Sequence, residues 1–86
     1  MNNNYILYKN IKQLDLHGLN RYQAKIEIES FILEEYKLGK KYIGIIHGKG
    51  EGIVKKATHE TLKNNKYVKS YKVDLFNNGI TIVELK

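Results

Sequence analysis

Tyr42-Ile43-Gly44-Ile45-Ile46-His47-Gly48-Lys49-Gly50-Glu51-Gly52 is the stretch whose reading decides the fold. An isoleucine-rich run ends in a histidine, glycine recurs at 48, 50 and 52, and a helical pattern begins at Ile53. A short, nearly continuous apolar run suits a strand buried on both faces of a parallel sheet. Strand, glycine loop and helix start then follow one another directly. In such a layout the loop N–H groups can turn toward an anion, with the positive end of the helix dipole behind them.

Upstream, the spacing predicts a helix over 21–38. Ala24, Ile28, Phe31, Ile32 and Glu35 follow the i, i+4, i+7 pattern, with only the last polar. Ile26 and Leu33 are expected to widen the apolar face. Asn20 is a good N-cap and Gln23 stands where a capping-box partner reaches back. Gly39 suits the C′ position, and Lys37, Lys40 and Lys41 suit the negative end of the dipole. Before this helix, 13–17 reads as a short strand that Gly18 ends. Helix 21–38 is then the crossover between two parallel strands.

Downstream, Ile53, Val54, Ala57, Thr61 and Leu62 are the expected buried stripe of a shorter helix that stops at Asn64-Asn65. A third strand is predicted over 68–75, with Val68, Tyr71, Val73 and Leu75 packing inward. Asn77-Asn78-Gly79 signals a tight hairpin built on positive φ. The last strand covers 80–85, and both of its alternating sets are largely apolar. The order is β-α-β-α-β-β. It predicts an α/β (α+β) two-layer sandwich, a four-stranded mixed sheet with two helices on one face.

With 86 residues, 42% of them hydrophobic and 28% charged, the chain has room for one domain and the composition of a globular one. Residues 1–12 are read as an N-terminal extension and 13–86 as the domain. Tyr5, Ile6, Leu7 and Tyr8 are expected to lie along its body or to pair with a partner, and the asparagines before them to fray. With no cysteine, disulfides and thiolate metal sites are excluded. The start of the chain lacks the basic and apolar regions of a secretory signal, and no apolar run reaches the roughly 20 residues of a spanning helix. These readings point to a cytoplasmic protein with no membrane partner.

The formal net charge is +6, and its distribution is uneven. Residues 21–37 hold three bases against four acids, whereas 47–72 hold seven bases (Lys49, Lys55, Lys56, Lys63, Lys66, Lys69, Lys72) against Glu51 and Glu60. Positive charge concentrated beside the glycine loop favours an anion-facing surface.

Two strands end in His-Gly, at Leu14-Asp15-Leu16-His17-Gly18 and at Ile46-His47-Gly48. If the strands are parallel, both ends meet at one sheet edge, where open α/β sheets bind ligands. That edge gathers Asp15, His17, His47, Lys49 and the start of the second helix. Each residue also has a plainer reading: Asp15 bonding a neighbouring N–H, each histidine a structural hydrogen-bonder, Lys49 a solvated loop charge. His59 is read as a surface residue.

Leu14-Asp15-Leu16-His17-Gly18 resembles the LDxH-type motif of the Smr (small MutS-related) domain family. Ile46-His47-Gly48-Lys49-Gly50 resembles its HGxG motif, and 79–85 its closing strand. The resemblance implies a fold similar to the C-terminal domain of translation initiation factor three. It further implies nucleic-acid binding and, in many members, endonuclease activity on DNA or RNA. Carried over by position, Asp15, His17 and His47 are the expected catalytic residues. Gly18, Arg21, Gly48, Lys49, Gly50, Lys55 and Lys56 are the expected nucleic-acid-binding residues. Many members have an arginine early in the second helix where this chain has Lys55 or Lys56, and lysine lacks the bidentate fork. The turn at Asn77-Asn78-Gly79 is also shorter than the family's glycine-rich loop.

No residue is assigned as a metal ligand. Attack by an RNA 2′-hydroxyl needs no metal, whereas attack by water on DNA brings in a divalent cation, Mg or Mn. In either case an imidazole can act as acid or base near neutral pH, and loop amides with Lys49 and Lys55 can stabilise phosphate charge. The alternative is a binding module that docks on nucleic acid or the ribosome without cutting.

Overall fold

The computed structural model describes residues 10–49 and 52–86. The elements are β1 (Lys12–Asp15), α1 (Arg21–Lys37), β2 (Tyr42–Ile46), α2 (Ile53–Lys63), β3 (Val68–Val73) and β4 (Ile80–Leu85). They form one four-stranded sheet in the order β1-β2-β4-β3. β1 and β2 are parallel, with Asp15 beside Ile46, while β4 runs antiparallel to both β2 and β3. The expected mixed sheet with two helices is what the chain forms. The expected packing of residues 5–8 lies outside the described residues.

Both helices share one core with one face of the sheet. Ala24, Ile28, Phe31 and Ile32 of α1 and Leu62 of α2 meet Leu16, Ile43, Ile45, Val83 and Leu85 there. Each fully buried aliphatic side chain of this set contributes roughly 1.5–3 kcal/mol of transfer free energy. The two central strands, β2 and β4, carry Ile43, Ile45, Ile82 and Val83 at 5% exposure or less. Central position explains why both alternating sets of β4 are largely apolar. β3, at an edge, instead exposes Lys69, Ser70 and Lys72 between inward residues and carries a bulge at Val68/Ser70. Exposed lysines and a bulge both discourage edge-to-edge pairing.

α1 begins as its sequence predicts. The Asn20 side chain accepts from the backbone N–H of Tyr22 and Gln23 at 3.0 and 2.9 Å, and the Gln23 side chain accepts from Asn20 N–H at 3.0 Å. Gly39 closes the helix at φ +78°. The buried stripe is the expected one, Glu35 included. Glu35 reaches Lys12 Nζ at 3.5 Å, so the one polar residue of the stripe faces a cation on β1.

Several expectations need correction. Ile26 does not widen the face; it is 65% exposed, because two residues beyond Ala24 is about 200° around the helix. Leu33 is likewise on the exposed side. On α2, Ile53 is exposed and Thr58 takes an inward place. Burial of Thr58 and Thr61 is tolerable because their hydroxyls donate to the carbonyls of Val54 and Ala57, both at 2.8 Å.

β1 ends at Asp15, not at residue 17. Leu16 N–H still reaches the Ile46 carbonyl at 2.9 Å, but the Asp15 carboxylate then takes His17 N–H and turns the chain. β3 ends at Val73, and Leu75 is 87% exposed instead of packed. Asn77, Asn78 and Gly79 have no positive φ. The Asn77 side chain shapes the turn by accepting Gly79 N–H at 3.0 Å. Asp74 N–H to the Ile80 carbonyl and Ile80 N–H to the Asn77 carbonyl complete it, at 2.9 and 3.1 Å. A side-chain-closed turn does not need the left-handed backbone of a two-residue hairpin.

Candidate functional site

The Asp15–Ile46 register sets the ends of β1 and β2 side by side. The Asp15 carboxylate accepts His17 N–H at 2.9 Å, which is the plainer of its two readings. This bond fixes the turn that carries His17. The His17 side chain is exposed, and no hydrogen bond to its ring is seen among the described residues. Both ring nitrogens are therefore open to an incoming group. Gly18 and Gly48 sit at φ +79° and +81° with nothing within 4 Å of an added Cβ, so each turn depends on the missing side chain and leaves open space above it. Gly50 lies outside the described residues.

His47 is placed differently. Its backbone N–H and that of Gly48 both donate to the Gly79 carbonyl, at 2.9 and 3.0 Å. This pins the start of the loop to the start of β4. A Cβ on Gly79 would stand 3.3 Å from Lys49 Cγ and 3.4 Å from the Gly48 carbonyl carbon, so the turn packs closely against the loop and a side chain there would press on Lys49. The His47 ring is half-buried. Its Nδ1 is 3.0 Å from the Gly48 carbonyl oxygen and its Nε2 is 2.7 Å from Thr81 Oγ1.

His59 is not the surface residue expected. It is half-buried, with Nε2 2.7 Å from the same Thr81 Oγ1. Its ring lies edge-on to His47, 5.7 Å between centroids, and 5.3 Å from Tyr71 at a tilt of 32°. Burial holds the pKa of His47 below 6.5; the Gly48 hydrogen bond works against this, and the Lys55 charge adds to the lowering. His59 is also lowered, first by burial and then by the charges of His47 and Lys55. Both rings are thus favoured as neutral.

Gly52 is the N-cap of α2 and has no side chain, so the first N–H groups of this 11-residue helix receive no side-chain cap from it. A shallow groove runs beside it, bordered by Lys55, Lys56, His59, Glu60, Lys63 and Tyr71. No ion pair is seen for Lys49, Lys55, Lys56 or Lys63 among the described residues, whereas Lys69 is 3.7 Å from Glu84. Four lysines without an ion pair among the described residues thus lie on the loop and on α2, while Lys66, beyond α2, stands over the Tyr67 ring.

Arg21 stands apart from this group. Its guanidinium donates to the Tyr22 hydroxyl at 2.9 Å and it borders a second groove, between the helices, with Lys25, Glu29 and Glu60. No described contact joins it to the His47 loop. Among the described residues no three of His, Cys, Asp and Glu stand so as to hold a metal ion. Asp15, which already bonds a backbone N–H, and Asp74, just past the end of β3, are described carboxylates at this edge, and Glu51 of the loop lies outside the described residues.

His59, Thr81 and Gly79 were not assigned to the site from sequence. A signal existed for Thr81, a hydroxyl in the same alternating set as the apolar Val83 and Leu85. His59 lies three residues before buried Leu62, on the flank of the α2 stripe.

The family model of the Smr domain matches residues 14–86. The chain is 38% identical over 78 residues to the endonuclease MutS2 of Clostridium acetobutylicum, and 37% identical over 75 residues to that of Caldanaerobacter subterraneus. These matches cover 87% and 84% of the chain but only 10% of either relative, so the chain spans about a tenth of the length of these MutS2 proteins. Among solved structures, the Smr domain of Thermus thermophilus MutS2 superposes with a TM-score of 0.85 at 32% identity, covering 88% of this chain and 99% of that one. YdaL, a stand-alone small MutS-related protein from Escherichia coli, gives 0.81 at 25% identity, covering 86% and 63%. With the family model spanning most of its length and its fold shared with both solved structures, the chain belongs to the Smr domain family.

Proposed function

We propose that this domain binds a nucleic-acid backbone at the edge formed by 15–18, 47–49 and the start of α2, and cleaves it there as an endonuclease. The observation that supports this most is the conjunction at one sheet edge: an open His17 ring on a carboxylate-fixed turn, beside a glycine loop and lysines without ion pairs. His17 is the acid–base group in this reading. Lys49, Lys55 and the uncapped amides of the first α2 turn carry the phosphate charge. The described groups best suit RNA, whose own 2′-hydroxyl attacks. His17 then takes that hydroxyl's proton as the 2′-oxygen bonds to phosphorus, the bond from phosphorus to the 5′-oxygen of the next nucleotide breaks, and that oxygen takes a proton from water.

The test is cleavage of matched RNA, DNA and RNA with a 2′-deoxy group at the scissile position, with and without EDTA. RNA alone is expected to be cut, with or without chelator, and His17→Ala to slow cutting by about 10²–10⁴. Full activity of His17→Ala would overturn the assignment. DNA cutting that EDTA abolishes would transfer the chemistry to a divalent cation, Mg or Mn.

A second reading is a module that docks on structured nucleic acid or a ribonucleoprotein such as the ribosome without cutting. One observation favours it: the Asp15 carboxylate and both His47 ring nitrogens are already engaged within the protein. It predicts salt-sensitive binding and no turnover in a nuclease-free preparation.

A further inference from the structure

The geometry points to a three-residue relay in which His59, acting through the Thr81 hydroxyl, fixes the tautomer and ring orientation of His47. The Gly48 carbonyl can only accept, so His47 Nδ1, 3.0 Å away, carries the hydrogen. A neutral imidazole has one N–H, which leaves Nε2 bare and in need of a donor. The Thr81 hydroxyl stands 2.7 Å from it. That hydroxyl has a single hydrogen, and once it points at His47 the oxygen can only accept. Its other neighbour at 2.7 Å, His59 Nε2, must then be the protonated nitrogen. The chain of bonds has one self-consistent direction: His59 Nε2–H to Thr81 Oγ1, Thr81 O–H to His47 Nε2, His47 Nδ1–H to Gly48 O.

Two further observations agree. Thr81 is 0% exposed, so bulk water does not compete for its hydroxyl. Burial also lowers the pKa of both rings, which keeps them in the neutral form that the relay requires. His59 and Thr81 are thus positioning residues. They hold His47 as a neutral ring whose one hydrogen faces the exposed Gly48 loop. Resting on the proposed nucleic-acid reading, His47 is then a hydrogen-bond donor to a phosphate oxygen, which takes the place of the Gly48 carbonyl; the proton-accepting role stays with His17.

Long-range proton–nitrogen NMR correlation of the imidazoles, on the intact chain without nucleic acid at neutral pH, tests the relay directly. The expected spectrum has His47 protonated at Nδ1 and bare at Nε2, and His59 the reverse. Thr81→Val removes the hydroxyl at nearly constant shape, and His59→Ala removes the donor behind it. Each is expected to convert the single His47 tautomer into a mixture. Thr81→Ser, which keeps the hydroxyl, and His59→Gln, which keeps an N–H donor, are expected to retain it. A wild-type spectrum with His47 protonated at Nε2 would overturn the relay. So would an unchanged His47 spectrum in both Thr81→Val and His59→Ala. Should Thr81→Val not fold, the half-buried His59 position and the wild-type spectrum carry the test alone. These readings need no substrate, so a relay found in a protein that neither binds nor cuts nucleic acid would sink the functional reading and leave the relay standing.

Discussion

Replacing Lys55 and Lys56 together by glutamine removes two of the four lysines on the loop and α2 that lack an ion pair, at the first turn of α2 beside the open helix start. If both meet phosphates, the effect follows from counterion release. Each lost contact with a single strand lowers the slope of log K against log salt by about 0.7, so the pair should lower it by about 1.4. The same exponent sets the loss of affinity at roughly 25-fold in 0.1 M salt and roughly 5-fold in 0.3 M. Fluorescence anisotropy of a short labelled RNA, titrated at several salt concentrations, reads both quantities. Lys25→Gln is the comparator, because Lys25 lies 3.9 Å from Glu29 on α1 and its charge is already met. Parallel salt plots for the double variant and the wild type, or an equal change in Lys25→Gln, would refute the placement of the phosphate path along α2.

Other outcomes follow from the same geometry. Ile45→Ala leaves a void in a fully buried central strand and should cost about 2–5 kcal/mol in urea unfolding; a cost under about 1 kcal/mol would mean that the site can collapse. Asp15→Asn keeps an oxygen for His17 N–H, so activity should survive it, whereas Asp15→Ala loses the turn and should reduce activity strongly. Equal loss in both variants would show that the negative charge itself is needed. Stability should also fall on acidification: a histidine whose native pKa is depressed contributes fully above its unfolded value of 6.5, and that contribution is lost as pH drops through the lower native value. The groups facing this pair are Lys55 from α2, Tyr71 from β3 and the uncharged Thr81 from β4. The urea midpoint followed downward from pH 8 checks this, and the decline should flatten in His59→Gln.

The α1 stripe was legible down to Glu35 because a 17-residue helix repeats its period often enough to fix which side is buried. The capping box was legible because it is a local exchange between two side chains and two amides. The shared edge of the two His-Gly motifs followed from the parallel pairing that a helical crossover imposes. What sequence did not disclose depends on contacts between distant segments. His59 looks peripheral on a wheel of α2 alone. It became part of the site only when the helix settled over Thr81, 22 positions further along. The reach of β3 was overestimated for a related reason: Leu75 continues the alternation, but the Asn77 turn draws the chain off the sheet before that residue can be covered.

The carbonyl of Gly79 takes two consecutive amides, those of His47 and Gly48, for itself. Neither N–H is left to meet an anion, so Gly48, expected from sequence to bind nucleic acid, offers open space but no amide. The β3–β4 turn therefore acts as a shim beneath the loop. Lengthening or shortening it ahead of Gly79 would raise or lower the floor on which His47 stands, retuning the site from a segment that contributes none of its side chains.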